Sequence, residues 1–303
     1  MKEAEKEIKC WICGSDNVKK LFGEANSLNL NSSDVAVSND NYGKTLPLYR
    51  CSSCSFVFAH PLHDNLLDLY QDLKDDEYIN SLEPRFKEMK SILKKSLRIL
   101  PQPKSLLDVG AGAGLLIRAA KTRGINSTGV EPSSYFVSKS KELFDIELLT
   151  GSVPHKDLEG RTFDMVLAVD VLEHVPNPLD FINVLKSYMH KNSILVISTP
   201  DVNSIVSKIL KQKWWHFRIA HIGYFNKSTI QKAAEKCGLK IIKIKRPVWY
   251  LPVEYLLKRL SKYLPIGFLV KPISKFKTIS AIAVRFNLFD SILVFLKKEN
   301  GQN

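Results

Sequence analysis

No window of this 303-residue sequence holds 18 consecutive apolar residues, so no segment reads as a membrane-crossing helix. Its opening, MKEAEKEIKCWICGSDNVKK, is charged and lacks the apolar stretch of a secretion signal, which makes a cytoplasmic protein the expectation. Internal repeats and low-complexity tracts are missing too, which argues against solenoid and disordered architectures. Acidic residues are scarce in one place only. Residues 201–303 hold five Asp/Glu against 20 Lys/Arg, whereas residues 1–200 hold 26 against 24. The net charge of +13 therefore sits in the last third, as a solubilising face or as a surface for nucleic acid, anionic lipid or a phosphorylated substrate. Cysteine is also sparse. Of five, four form two C-x-x-C pairs (Cys10 and Cys13, Cys51 and Cys54), which in a cytosolic chain favours a metal over disulfides.

What is present is an alternation of strand-like and helix-like segments. After a polar stretch between the cysteine pairs, residues 63–100 show apolar residues at helical spacing, divided by Pro84. From Ser105 short apolar runs take over. SLLDVG, INSTGVEP, Ile146–Leu149, FDMVLAVD, SILVISTP and LKIIKIKR read as strands, with helical segments between most of them. SILVFLKK at 291–298 reads as a final strand. Such alternation implies an α/β fold with a doubly wound, mostly parallel sheet. The expected organisation is a cysteine module over 1–62, a helical linker over 63–100 and a Rossmann-like domain over 101–247. A basic amphipathic insert, carrying Lys258, Arg259, Lys262, Lys271, Lys275 and Lys277, would cover 248–288, and the last strand and tail 289–303.

The strongest chemical signal is LLDVGAGAGLLIRAA at 106–120, a strand, a turn with Gly110, Gly112 and Gly114, then a helix at once. Glycines let the backbone approach a ligand and take positive φ. A pyrophosphate site prefers G-x-G-x-x-G, and an acidic Asp108 beside a phosphate would be unfavourable. A ligand bearing an ammonium and a sulfonium suits it better. Glu131 closes the next strand, where a carboxylate can accept from both ribose hydroxyls.

On these residues, 105–200 resemble the core of class I S-adenosylmethionine (SAM) dependent methyltransferases. LLDVGAGAG is similar to their first motif, GVEPS to the second and FDMVLAVDVLEHVPNP to the fourth-strand motif. The resemblance implies a seven-stranded Rossmann-like sheet. It also implies that Gly110, Ala111, Gly112 and Gly114 cradle the methionine moiety, with Asp108 near its amino group and Glu131 on the ribose. Pro132 would follow the ribose carboxylate, and Asp170 and Val171 would line the floor. The family's usual acidic adenine contact is replaced here by Ser152.

The two cysteine pairs fit a closed tetrahedral zinc site of four thiolates, structural because no coordination position stays open. Gly14 supports the first turn, and Ser55 holds the matching place in the second. Such modules resemble those on some bacterial methyltransferases acting on sugars or other small molecules. Cys237 is expected to be a buried small residue.

For catalysis, Glu173, His174 and His221 are the candidates. RIAHIGYFNKSTI is similar to the R-x-x-H-x-x-x-F-S pattern of related methyltransferases, with Asn226 in the Ser place. His216 and several aromatics share that loop. The reading is a methyltransferase for a small-molecule acceptor: a sugar, quinone, lipid-linked compound or secondary metabolite. Its rivals are an RNA methyltransferase using the basic last third and a non-catalytic SAM-binding scaffold. The basic insert reads as a cap or as a surface for anionic membrane, with nucleic acid disfavoured for want of a binding motif. The oligomeric state is left open.

Overall fold

The computed structural model describes residues 8–23, 30–36, 38, 41–63, 65–66, 68–261 and 283–299. Lys262, Lys271, Lys275 and Lys277 of the basic insert lie outside them, as do the side chains of Lys258 and Arg259.

The chain opens with three short strands, β1 (Val18–Phe22), β2 (Leu48–Cys51) and β3 (Val57–Ala59). Three helices follow: α1 (Asp68–Gln71), α2 (Asp76–Asn80) and α3 (Leu82–Leu97). The break in this helical stretch falls at Ser81. Pro84 sits in the first turn of α3, where its missing N–H would have had no helical partner anyway.

The alternation anticipated from Ser105 is then met in order: β4 (Ser105–Val109), α4 (Leu115–Lys121), β5 (Asn126–Glu131) and α5 (Ser134–Phe144). Next come β6 (Leu149–Thr150), β7 (Phe163–Val169), α6 (Pro178–Ser187), β8 (Met189–Pro200) and α7 (Ile205–Leu210). The third strand of the parallel run is shorter and later than Ile146–Leu149, because Ile146 is spent packing beneath Gly114. After β9 (Gly223–Tyr224) come α8 (Lys227–Lys236), β10 (Leu239–Lys245), β11 (Trp249–Pro252), α9 (Val253–Leu260), β12 (Ala283–Phe286) and β13 (Ser291–Lys298).

One seven-stranded sheet runs β10-β13-β8-β7-β4-β5-β6, parallel from β8 to β6, with β13 antiparallel between β10 and β8. Its central strands are apolar on both faces, Leu106, Leu107, Val166 and Leu167 being fully buried, as helices on both sides demand. One face packs on α4, the other on α6 and α8. The strand order reverses at β4, with β5 on one side and β7 on the other. That is where a doubly wound sheet opens a crevice at its carboxyl edge.

A second sheet runs β1-β2-β3-β9, so its fourth strand comes from the loop after α7. The third is a ribbon of β11 and β12, inserted between β10 and β13. No helix among the described residues is long and apolar enough to cross a membrane.

Candidate active site

Above the carboxyl ends of β4, β5 and β7 lies a cleft of about 940 Å³. Single ligands of drug size occupy clefts of roughly 300–1,000 Å³, and this one lies at the upper end of that range. Asp108, Gly110, Ala111, Gly112, Glu131 and Pro132 line one part of it. Ser152, Asp170, Val171, Glu173, His174 and His221 line it too.

Gly114 is the exception. Its φ is +73°, and a Cβ there would meet Ser140 Oγ at 2.6 Å and Ile146 Cγ2 at 3.3 Å, so it lets α4 pack against α5. Gly110 and Gly112 face the other way. A Cβ on Gly110 would come within 2.5 Å of Val171 Cγ2, and one on Gly112 within 2.7 Å of the Tyr78 hydroxyl. The turn thus does two jobs, close approach at its start and helix packing at its end.

Glu131 fastens this turn. Its Oε2 accepts from the Gly112 N–H at 2.8 Å and its Oε1 from the Ser133 N–H at 2.9 Å. A carboxylate has about four acceptor positions, so lone pairs remain for a ligand. Burial pushes the carboxyls of Glu131 and Asp108 both up to about 7, and for Asp108 the neighbouring Glu131 adds to the effect. Two buried carboxyls poised near neutrality favour a cationic partner, which would draw them into the ionised form.

The opposite wall is built from distant parts of the chain. His174 Nδ1 lies 2.7 Å from the Ala220 carbonyl, which can only accept, so the neutral ring carries its hydrogen on Nδ1. Nε2 then keeps its lone pair. The Tyr70 hydroxyl, 2.8 Å from the same Nδ1, donates to the Ala220 carbonyl at 3.2 Å and closes the triangle. Burial pulls His174 down to about 4 and His221 well below the ordinary histidine value, the latter with help from the neighbouring His174. The two rings are 4.8 Å apart, and Nδ1 of His221 is buried with no hydrogen-bond partner among the described residues. Glu173, 1% exposed, accepts from Thr199 Oγ1 at 3.0 Å, and burial raises it well above the usual carboxylate range. Asp170 accepts from Ser198 Oγ at 2.7 Å. His216 instead turns to Asp290, 3.4 Å away, where Trp214 Nε1 also donates.

Asn226 has a local explanation. Its side chain accepts from the backbone of Ser228 and Thr229 and caps α8, a task Ser and Asn perform about equally well.

Several wall residues carry no signal in the sequence: Tyr70 and Tyr78 from the short helices, and Arg85 and Glu88 from α3. Glu88 is 4% exposed, and burial holds its carboxyl well above the usual range. A carboxylate on the buried face of an otherwise amphipathic helix is the one oddity that marks it.

The four paired cysteines converge. Sγ of Cys10 lies 3.5 Å from that of Cys54, and Sγ of Cys13 lies 3.5 Å from that of Cys51. All four sulfurs fall within 4.8 Å of one another. Four thiolates at the zinc–sulfur distance of about 2.3 Å would sit about 3.8 Å apart, inside the range these sulfurs span, so the set fits with small shifts. Each knuckle closes with an N–H bond back to its first cysteine, from Gly14 at φ +77° and from Ser55 at φ +66°. Cys237 is buried at the end of α8.

The cysteine module also touches this opposite wall. β3 pairs with β9, and the Ala59 N–H donates to the Ile222 carbonyl. The Ile222 N–H in turn donates to the Glu173 carbonyl at 2.9 Å. Phe56 bridges the two parts by packing on Phe58 and Phe225. His221 is the residue next to this junction.

Residues 82–244, over half of the chain, match the family model described as a methyltransferase domain. The chain belongs to that family. Among curated proteins it is similar to the mitochondrial ubiquinone biosynthesis O-methyltransferase of Schizosaccharomyces pombe, 34% identical over 103 residues, 32% of this chain and 38% of that protein. The ubiquinone biosynthesis O-methyltransferase of Rhodopseudomonas palustris (strain HaA2) is 31% identical over 123 residues, 39% of this chain and 44% of that one. The chain thus spans less than half the length of these curated relatives. A SAM-dependent methyltransferase from Archaeoglobus fulgidus has the same fold, with a TM-score of 0.51 at 20% identity, covering 74% of this chain and all of that one. The seven-stranded sheet with one reversed strand is therefore the class I methyltransferase fold.

Proposed function

We propose that this chain transfers the methyl group of SAM to a hydroxyl-bearing small molecule. The observation that carries the reading is the glycine turn held between two buried carboxyls, Asp108 and Glu131, at the switch point of the sheet. SAM supplies an electrophilic methyl group on a cationic sulfur. Binding it falls to the backbone at Gly110–Gly112, with Asp108 toward its ammonium group and Glu131 toward its ribose hydroxyls. Ser152 and Pro132 line the path beyond, and Asp170 and Val171 the floor.

A hydroxyl acceptor must lose a proton as it is methylated. His174 is arranged to take it, because its Nδ1–H is committed to the Ala220 carbonyl and its Nε2 lone pair is not. His221 lines the cleft with its ring 4.8 Å from that of His174 and would orient the acceptor beside it. Glu173, hydrogen-bonded to Thr199 and accepting from the Ile222 N–H, ties the segment of His174 to that of His221. The curated relatives, named for ubiquinone-pathway O-methyl transfer, support a small-molecule acceptor over RNA. The four cysteines are assigned a zinc ion. With four thiolates around it no position is left for substrate, and its task is to hold the module against β9.

The test is transfer of labelled methyl from SAM to a panel of phenols, quinols and sugars. Transfer to a member of the panel, reduced at least about a hundredfold in His174→Ala with SAM binding retained, is the expected result. Tight SAM binding with no acceptor methylated would favour the scaffold alternative and overturn the reading.

A further inference from the structure

Six large apolar side chains among the described residues are substantially exposed, and four of them gather in one place. Ile205 (77% exposed) and Ile209 (71%) stand one helical turn apart on α7. Leu288 and Phe289 (61%) form the tip before β13. The Asp201 N–H bonds to the Asp290 carbonyl at 2.8 Å, which sets that tip beside the start of α7. Exposed isoleucines a turn apart on a short surface helix are not explained by folding, since burial would favour turning them inward.

The charge around them has one sign. Between Asp201 and Glu235 the sequence has no acidic residue, but it has Lys208, Lys211, Lys213, Arg218, Lys227 and Lys232. Lys208, Lys211 and Lys213 are exposed on or just after α7. Apolar side chains with lysines at their margin match the two layers of an anionic bilayer surface, acyl boundary beneath and phosphate above. An acidic protein partner would satisfy the lysines without needing Ile205 and Ile209 to stand out.

We infer that α7 and the Leu288–Phe289 tip form a docking surface for an anionic lipid bilayer. The surface adjoins the acceptor side of the cleft, because Leu288 and Trp215 line that cleft. The basic excess of the last third thereby gains a defined location, on a part of the chain outside the 248–288 insert for its helical half. Docking does not depend on methyl transfer, so the two can fail separately.

The test is co-sedimentation of the full-length protein with vesicles of phosphatidylcholine alone and with about a third phosphatidylglycerol. Binding only to the anionic vesicles, falling steeply as salt is raised, is expected. Ile205→Ser/Ile209→Ser, and independently Phe289→Ser, should each weaken it about tenfold while SAM binding is unchanged. Lys208→Glu/Lys211→Glu should abolish it at the same salt. No sedimentation with anionic vesicles at low salt would overturn the inference. Equal binding by the isoleucine variant would do so too, and a concentration-dependent dimer lost in that variant would assign the surface to a second copy of the chain.

Discussion

The two walls of the cleft, to which we assign the methyl donor and its acceptor, are built in opposite ways. The donor wall comes from consecutive pieces of one sheet edge, Asp108 to Gly112 after β4 and Glu131 after β5, tied by a carboxylate bonded to its own neighbouring turn. The acceptor wall is gathered from Tyr70, His174, Ala220 and His221, and its last segment is held by β9, which belongs to the sheet of the cysteine module. One wall is local and rigid by topology. The other depends on a contact between parts of the chain more than a hundred residues apart.

That difference can be broken experimentally, most severely by stripping the zinc we assign to the four cysteines. Chelation should cost methyl transfer more than about a hundredfold, because misplacement near 1 Å is enough for that. Trp11, packed on Phe56 and Phe58, should report the loosening by fluorescence, while SAM affinity changes less than about threefold. Equal loss on both walls would show that they are not separable.

Within the donor wall, Gly112→Ala and Gly114→Ala should part company. Alanine at 112 takes a positive φ and collides at 2.7 Å with the Tyr78 hydroxyl, so SAM binding should weaken about thirtyfold in calorimetry. At 114 the collision is with Ser140, inside the α4–α5 contact. The melting temperature should fall there, with affinity kept in the protein that remains folded.

The smallest effect is expected on the acceptor wall. Tyr70→Phe removes one hydrogen bond from the His174 triangle and should lower kcat about tenfold, leaving KM for SAM unchanged. A shift in the acidic limb of the pH–rate profile would separate loss of ring positioning from simple loss of packing.

The donor wall was also the legible one. A strand, its glycine turn and the next strand's acidic end are contiguous in sequence, so the meeting of Asp108, Gly110, Gly112 and Glu131 in one cleft could be read from spacing. The alternation implied a mostly parallel doubly wound sheet with a final strand at 291–298, while the order of the strands and the antiparallel place of β13 left no local signal. Gly114 was misleading, since the same residue type serves ligand approach and helix packing and only the neighbour across the gap decides which. Tyr70, Tyr78 and Glu88 were illegible, because an amphipathic pattern over 63–100 says which face is buried and nothing about what it meets. The pairing of β3 with β9 was hidden for the same reason, two very short strands far apart in the chain leaving no periodic signal.

Whether the turn at Gly110–Gly112 and its two carboxyls bind a cationic methyl donor is addressed directly by calorimetry of SAM with the wild type and Glu131→Gln. Both carboxyls titrate near 7 in the folded protein, above their unfolded values, so the unliganded fold loses stability as pH rises through that range and a cation bound there expels protons. The expected result is binding about a hundredfold tighter at pH 8 than at pH 6, with proton release between them, and loss of most of that affinity in Glu131→Gln. Affinity that is flat with pH and unchanged in the variant, or no binding by folded protein, would contradict it.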